Sequence, residues 1–334
     1  MPKLSVIVPF HNVQEYASDT LRSLARNAGK HTEFLLVDDC STDATGEILD
    51  AWQDRLPNAR LIRHEQNRGI AQARNTGIAE ARGDHLTFLD GDDWYAPGHL
   101  DALVAEMERI DCDFLRTDHV QSTGTKRVIR RPMAPRRGVP LNPRDVIAPP
   151  DAETMVDYPF VWAGVYRTSL FQDPQLRFAV NLRTAEDRLF IWRLHLAART
   201  VAATDLLGVF YRRGVTTSLT QIGDDRQLDF LPAYDTLLDE VTADREADRF
   251  LPKLVRTYCA MIAFHAAHSG RYEDAVAREL QRRSTEALHR MPQDVLRDTL
   301  AALDAERAHV LRRLHRGERA TPRIRPARTG RKAA

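Results

Sequence analysis

Cysteine is scarce in this sequence. Cys40, Cys112 and Cys259 are odd in number and far apart, which excludes a disulfide framework and a cysteine-built zinc site and points to a reducing compartment. An excess of either charge is also lacking, with 48 Lys and Arg against 47 Asp and Glu and a formal net charge of +1. Charge therefore singles out no partner, and nothing in it suggests specific nucleic-acid binding. Long apolar runs are missing as well. The opening Met-Pro-Lys-Leu-Ser-Val-Ile-Val-Pro is too short for a secretory signal, and no later stretch has the length of a membrane span, so a cytoplasmic location is expected. Finally, no glycine follows the first apolar run, where Pro9-Phe10-His11-Asn12 stands. Dinucleotide-binding enzymes need glycine there to bring backbone against a pyrophosphate, which disfavours dehydrogenases and nucleotidyltransferases.

What is present is an ordinary globular composition of 334 residues, 43% hydrophobic and 28% charged, enough for an α/β domain with an appended helical part. From Leu4 to about Val120, short apolar runs alternate with amphipathic segments, the rhythm of βαβ units around a mainly parallel sheet. Strands are expected at Leu4–Val8, Glu33–Val37, Ala59–Arg63, His85–Leu89 and Asp113–Thr117, with helices near Glu15–Asn27, Asp43–Arg55, Ile70–Ala81 and Pro97–Ile110. Ser41 and Thr42 are available as caps for the second helix, and Pro97 suits the first turn of the fourth.

Residues 121–159, rich in Pro, Arg and Gly, read as a long irregular connection of the kind that forms substrate-binding loops. A helix near Glu186–Ala198 and a strand at Leu206–Tyr211 follow. Residues 1–222 are expected to form the α/β domain and 223–315 an all-helical region, ending in helices at Glu273–Arg290 and Gln293–His315. Residues 316–334 carry Arg319, Arg323, Arg325, Arg328, Arg331 and Lys332 against Glu318. They read as a basic tail that either touches an anionic polymer or the inner face of the cell membrane, or is simply solvated. The helical stripes fit packing on the α/β domain, homo-oligomer formation or polymer positioning equally.

The most informative segment is Phe88-Leu89-Asp90-Gly91-Asp92-Asp93-Trp94. Ligands of open α/β sheets bind at the carboxyl ends of strands, and an Asp-x-Asp there supplies the one or two carboxylates that Mg²⁺ or Mn²⁺ takes beside phosphate oxygens. A turn with solvated acids accounts for these residues as well. Val37-Asp38-Asp39-Cys40-Ser41 ends the second strand, where a carboxylate either caps the next helix or accepts from a nucleobase.

Ser5 to Asn12, Asp38 to Asp43, Asn67-Arg68-Gly69 through Ala73-Arg74-Asn75-Thr76-Gly77, and Leu89 to Asp93 together resemble glycosyltransferase family 2 in order and spacing. That resemblance implies a GT-A fold and an inverting nucleotide-sugar glycosyltransferase of the hexosyl or N-acetylhexosaminyl class. It covers residues 3–120 well and continues more loosely to about 220.

Carried over to this sequence, the resemblance implies that Pro9 and His11 line the base pocket and that Asp39 binds uracil, with Asn67 and Arg74 helping to hold the nucleotide. Asp90 would reach the ribose and metal region, Asp92 would ligate Mn²⁺ or Mg²⁺, and Asp93 would be structural or face the acceptor. Capping and a surface salt bridge are the plainer roles for Asn67 and Arg74. His11 stands where Tyr is common, and Cys40 where Gly is frequent. Thr184-Ala185-Glu186-Asp187-Arg188-Leu189-Phe190 is similar to the family's acidic pair. Asp187 would be the general base and Glu186 would orient the acceptor, although acids also favour a helix start for electrostatic reasons. Arg212, with Arg213 and Thr216-Thr217-Ser218, would close over the diphosphate. The expected partners are a UDP-sugar donor and a saccharide, anionic polymer or lipid-linked acceptor. The competing reading is a catalytically degenerate scaffold that acts through its helices and tail.

Overall fold

The computed structural model describes residues 2–214 and 223–318; residues 216–218 and most of the basic tail lie outside them. Leu4–Phe10 forms β1, buried along its whole length as befits a strand covered on both faces. The chain continues through α1 (Gln14–Ala25), β2 (Thr32–Asp38), α2 (Thr45–Gln53), β3 (Ala59–Arg63), α3 (Ile70–Glu80) and β4 (His85–Phe88). Then come β5 (Trp94–Tyr95), α4 (His99–Ile110), β6 (Phe114–Thr123), β7 (Lys126–Arg130), β8 (Gly164–Arg167), α5 (Glu186–Ala197) and β9 (Val201–Arg212).

The sheet runs β3-β2-β1-β4-β8-β6-β9-β5, with β7 paired to β6. Pairing is parallel from β3 to β4 and antiparallel where β8 joins β4 and β6. The parallel half aligns the carboxyl ends of β1, β2 and β4 along one edge: Phe10 lies opposite Asp38 and Ile7 opposite Phe88. Gly77 lets α3 lie close on β1, since a Cβ there would come 2.3 Å from Ile7 Cγ2.

Several local expectations need correction. The segment 121–159 is not wholly irregular, because β6 extends to Thr123 and turns through Gly124 (φ 53°) into β7. The charged Lys-Arg-Val-Ile-Arg sequence of that mostly exposed edge strand hid its strand character. Ser41 and Thr42 do not cap α2. Asp43 Oδ1 accepts from Thr45 N at 2.9 Å instead, and Gln14 Oε1 accepts from Ala44 N at 2.9 Å. Pro97 precedes the helix, whose N-cap is Gly98 in the left-handed region (φ 76°). The final expected helix is two, α9 (Gln293–Ala302) and α10 (Ala305–His315), restarted by Asp304, whose carboxylate accepts from Arg307 N.

With α6 (Phe230–Thr242), α7 (Ala247–Ala267) and α8 (Asp274–Arg290), these helices build a second hydrophobic core. That core also takes in Ile147, Val156, Leu182, Leu189 and Trp192 from the α/β part. Burial of side chains this large stabilises by on the order of 2–3 kcal/mol each, so α5 is anchored on both sides. Buried or half-buried ion pairs cross the same seam: Arg144 with Asp244 and Glu246, Lys253 with Asp157, and Arg193 with Glu240 at 2.6 Å.

Candidate active site

At the aligned edge, β1 and β2 run into loops that hold one another. Asp38 Oδ1 accepts from Ser41 N and Oγ at 3.0 and 2.6 Å, a turn that places Asp39 beyond the strand. Cys40 then adopts a left-handed backbone (φ 57°), a conformation that glycine takes without steric cost. Asp39 is 3% exposed. Its Oδ1 accepts from Arg68 N at 2.8 Å and faces His64 Nδ1 at 2.6 Å, while Oδ2 accepts from Gly69 N at 2.7 Å. A carboxylate accepts about four hydrogen bonds, so one position stays open on Oδ2.

His11 joins this group from the end of β1. Its Nδ1 faces the carbonyl oxygen of Asp39 at 2.9 Å and therefore carries the proton, while Nε2 accepts from Asn67 Nδ2 at 2.9 Å. His11, Asp39 and Asn67 thus converge, with His11 and Asn67 exposed. Asn67 is tied to His11 rather than capping α3, whose N-cap is Gly69. Pro9 is buried in β1 opposite Val37.

The Asp90-Gly91-Asp92 turn follows β4 directly and runs beside the end of β1. Gly91 is required by closeness, because a Cβ there would meet Phe10 Cδ1 at 2.7 Å and the Pro9 carbonyl oxygen at 2.8 Å. Burial first and the neighbouring Asp90 second push the Asp92 carboxyl up to about 6. Two carboxylates near enough to repel one another suit a divalent cation that also takes diphosphate oxygens, since it would relieve that repulsion. Among the described residues, no three His, Cys, Asp or Glu side chains are arranged to hold a metal by themselves. The donor set fits a substrate-completed Mn²⁺ or Mg²⁺ site rather than a closed protein cage. Asp93 turns inward. It is fully buried, its Oδ1 accepts from Arg212 N at 2.7 Å, its Oδ2 has no partner, and burial raises its pKa strongly.

Arg74 is 4% exposed, so its ion pairs are buried rather than on the surface, and its Nε has no hydrogen-bond partner among the described residues. Nη2 donates to Asp90 Oδ1 at 2.9 Å and Nη1 to Glu186 Oε1 at 2.7 Å, with the guanidinium 5.3 Å from the centre of the Phe178 ring. Glu186 and Asp187 open α5, whose N-cap Ala185 has φ 62°. Burial raises both carboxyl pKa values, Glu186 also through its acidic neighbour Asp187 and against the pull of Arg74.

Arg212 is held by Nε donating to the Asp92 carbonyl oxygen at 2.8 Å, with its guanidinium 4.7 Å from the Tyr16 ring and 4.6 Å from the Trp94 ring. Arg213 is exposed beside it.

The structure therefore brings Asp90, Asp92, Arg74, Glu186, Asp187 and Arg212 to one place. It joins them to His11, Asp39 and Asn67 through α3, whose start binds Asp39 and whose interior carries Arg74. His64 and Thr76 escaped sequence reasoning, although His64 directly follows β3, a strand-end position that marks ligand edges in such sheets. A separate cavity of about 630 Å³, lined by His85, Arg167, Thr168 and Arg177 among others, lies at the opposite end of β4 and is not part of this site.

Comparison with known proteins follows the same lines. Residues 5–169 match the profile of Glycosyl transferase family 2. The chain is 31% identical over 222 residues to an uncharacterized glycosyltransferase of Bacillus subtilis, EpsJ, covering 66% of this chain and 64% of that one. It is 30% identical over 216 residues to the poly(ribitol-phosphate) beta-N-acetylglucosaminyltransferase TarS of Staphylococcus aureus, covering 63% of this chain and 35% of that one. It thus spans less than two thirds of either relative. The crystal structure of S. aureus TarS 1-349 in complex with UDP-GlcNAc superposes with a TM-score of 0.74 over 95% of this chain and 88% of that chain, at 21% identity. At that identity the likeness is one of fold, and it includes the helical region. Among the described residues no helix is long and apolar enough to cross a membrane.

Proposed function

We propose that this chain, a member of glycosyl transferase family 2, transfers a sugar from a nucleoside-diphosphate sugar, UDP-linked by preference, to a hydroxyl of a saccharide or cell-envelope polymer, with inversion at the anomeric carbon. The observation that carries the proposal is Arg74, which ties the strand-end Asp90 to the helix-start Glu186. One buried guanidinium thereby sets the donor carboxylates against the acceptor-side pair. The likeness to a protein crystallised with UDP-GlcNAc supports a UDP-linked donor, and a named poly(ribitol-phosphate) relative supports an anionic polymer as acceptor.

In this mechanism Asp39 accepts from the imide N–H of uracil, while His11 and Asn67 flank the base. Cytosine presents an acceptor where uracil presents N–H, so a CDP-linked donor is disfavoured. Asp92, with help from Asp90, would hold Mn²⁺ or Mg²⁺, which would supply positive charge against the departing diphosphate. Asp187 takes the acceptor proton as the hydroxyl oxygen attacks the anomeric carbon from the face opposite the leaving group. Burial raises the basicity of that carboxylate, which favours the transfer. Glu186, fixed by Arg74, orients the acceptor. Arg74 serves here as the link between the two sides, beside the nucleotide it helps to hold.

The test is a panel of UDP-, GDP- and dTDP-sugars with Mn²⁺, scoring slow donor hydrolysis, which needs no acceptor. Hydrolysis strongest with a UDP-sugar and dependent on metal is the expected result. Hydrolysis of none, with no donor binding by calorimetry, would overturn the assignment.

A further inference from the structure

His64 stands immediately after β3, where its backbone N–H donates to the Asp38 carbonyl oxygen at 3.0 Å. This continues the β2–β3 pairing one step past the strand and aims the imidazole across at Asp39. The side chain is 6% exposed and that of Asp39 4%. His64 Nδ1 lies 2.6 Å from Asp39 Oδ1, and Nε2 lies 2.9 Å from Thr76 Oγ1 on α3. A carboxylate only accepts, so Nδ1 carries the proton and donates. Thr76 Oγ1, itself 3.4 Å from the Gln72 amide nitrogen, fixes the far side of the ring.

The other two donors to Asp39 are the backbone N–H groups of Arg68 and Gly69, which no substitution at those residues removes short of proline. His64 is therefore the one side chain through which the sequence sets the orientation of this carboxylate among the described residues. With both oxygens engaged, the carboxylate plane cannot rotate, and the single open position on Oδ2 points in one direction. Only a group that donates can fill it, and on a pyrimidine edge at N3 that is the imide N–H of uracil and not the ring nitrogen of cytosine.

We infer that His64 is a positioning residue for nucleobase choice: its Nδ1–H locks Asp39 so that the remaining lone pair selects uracil over cytosine. This rests on the reading of Asp39 as the base-binding carboxylate. Hydrogen bonds to charged groups are strong enough that losing this one is expected to cost about tenfold in the affinity it supports.

The experiment titrates UDP and CDP, each with Mn²⁺, into the full chain and into His64→Phe, His64→Asn and Asp39→Asn, and measures KM and kcat for hydrolysis of a UDP-sugar and of the CDP-sugar with the same sugar. His64→Phe keeps a ring but no donor, and should shrink the UDP-over-CDP preference about tenfold, with the loss falling on KM rather than kcat. His64→Asn, whose amide nitrogen sits where Nδ1 did, should recover most of the preference. Thr76→Val should move the ratio the same way by a smaller factor, and it carries the test if His64→Phe does not fold. An unchanged ratio in folded His64→Phe, or in Thr76→Val should it stand in, while Asp39→Asn collapses the ratio, overturns the role of His64 alone. If Asp39→Asn also leaves the ratio unchanged, the base-binding reading of Asp39 fails and takes the inference with it.

Discussion

Arg74 and Glu186 stand 112 positions apart in the chain and share a buried hydrogen bond of 2.7 Å, the same guanidinium reaching Asp90 at 2.9 Å. Breaking a buried ion pair leaves an uncompensated charge. Arg74→Ala is therefore expected to destabilise the protein by about 3–5 kcal/mol in chemical denaturation, and to lower donor hydrolysis at least about a hundredfold. Arg74→Lys should rescue poorly, because an ammonium cannot fork to two carboxylates as a guanidinium does. Full activity in Arg74→Lys would show that the bridge does not organise the site.

Asp187→Asn should abolish sugar transfer while leaving UDP binding nearly intact, because the amide cannot take a proton but fills the same space. Glu186→Gln should retain more activity. Unchanged turnover in Asp187→Asn would remove Asp187 from the mechanism.

Asp92 gives a pH signature with a definite sign. An aspartate in the unfolded chain titrates near about 3.9, whereas burial and Asp90 push Asp92 up to about 6. Between those values the native state holds a proton the unfolded chain has lost, so this group's contribution to stability falls as pH rises through the window and stays low above it. Asp92→Asn should accordingly stabilise the metal-free protein at pH 7 by about 1–3 kcal/mol, read from thermal melts, and destroy metal-dependent hydrolysis. Mn²⁺ affinity of the unsubstituted protein should weaken as pH drops below about 6, since the cation and the proton compete for the same oxygens.

Cys40→Gly tests the left-handed turn after Asp39. A non-glycine residue at φ 57° is strained, and relief is expected to raise stability by about 0.5–1 kcal/mol despite the entropy glycine adds to the unfolded chain. A lower melting temperature would mean that the Sγ contact with the Glu65 carbonyl oxygen, at 3.7 Å, outweighs the strain.

The parallel half of the fold was legible because β1, β2 and β4 are short apolar runs ending in Asp, Gly or Pro punctuation, and such runs report their own burial. β5 and β8 were not. Trp94–Tyr95 is too short to show alternation, and Gly164–Arg167 becomes a strand only because β4 and β6 lie on either side of it. In the site, the acids could be located from sequence because they stand at the ends of legible strands, although turns and helix caps also account for acids there. The role of Arg74 could not, since the same arginine would suit a phosphate, a solvent-facing salt bridge or a buried bridge, and only burial decides among these. His64 carried only its place after β3 as a signal, because its partners Asp39 and Thr76 are brought to it by the fold alone.

Leu189 and Trp192 point from α5 into the helical core, while Glu186 and Asp187 sit at the start of the same helix. Trimming the chain at residue 222 would spare every group assigned to the donor, yet it would strip the far flank of the rod that aims the base. Such a fragment would lay Leu189 and Trp192 bare and loosen the helix start where Glu186 and Asp187 sit. The five rear helices and α5 therefore share one core, and neither packs fully without the other.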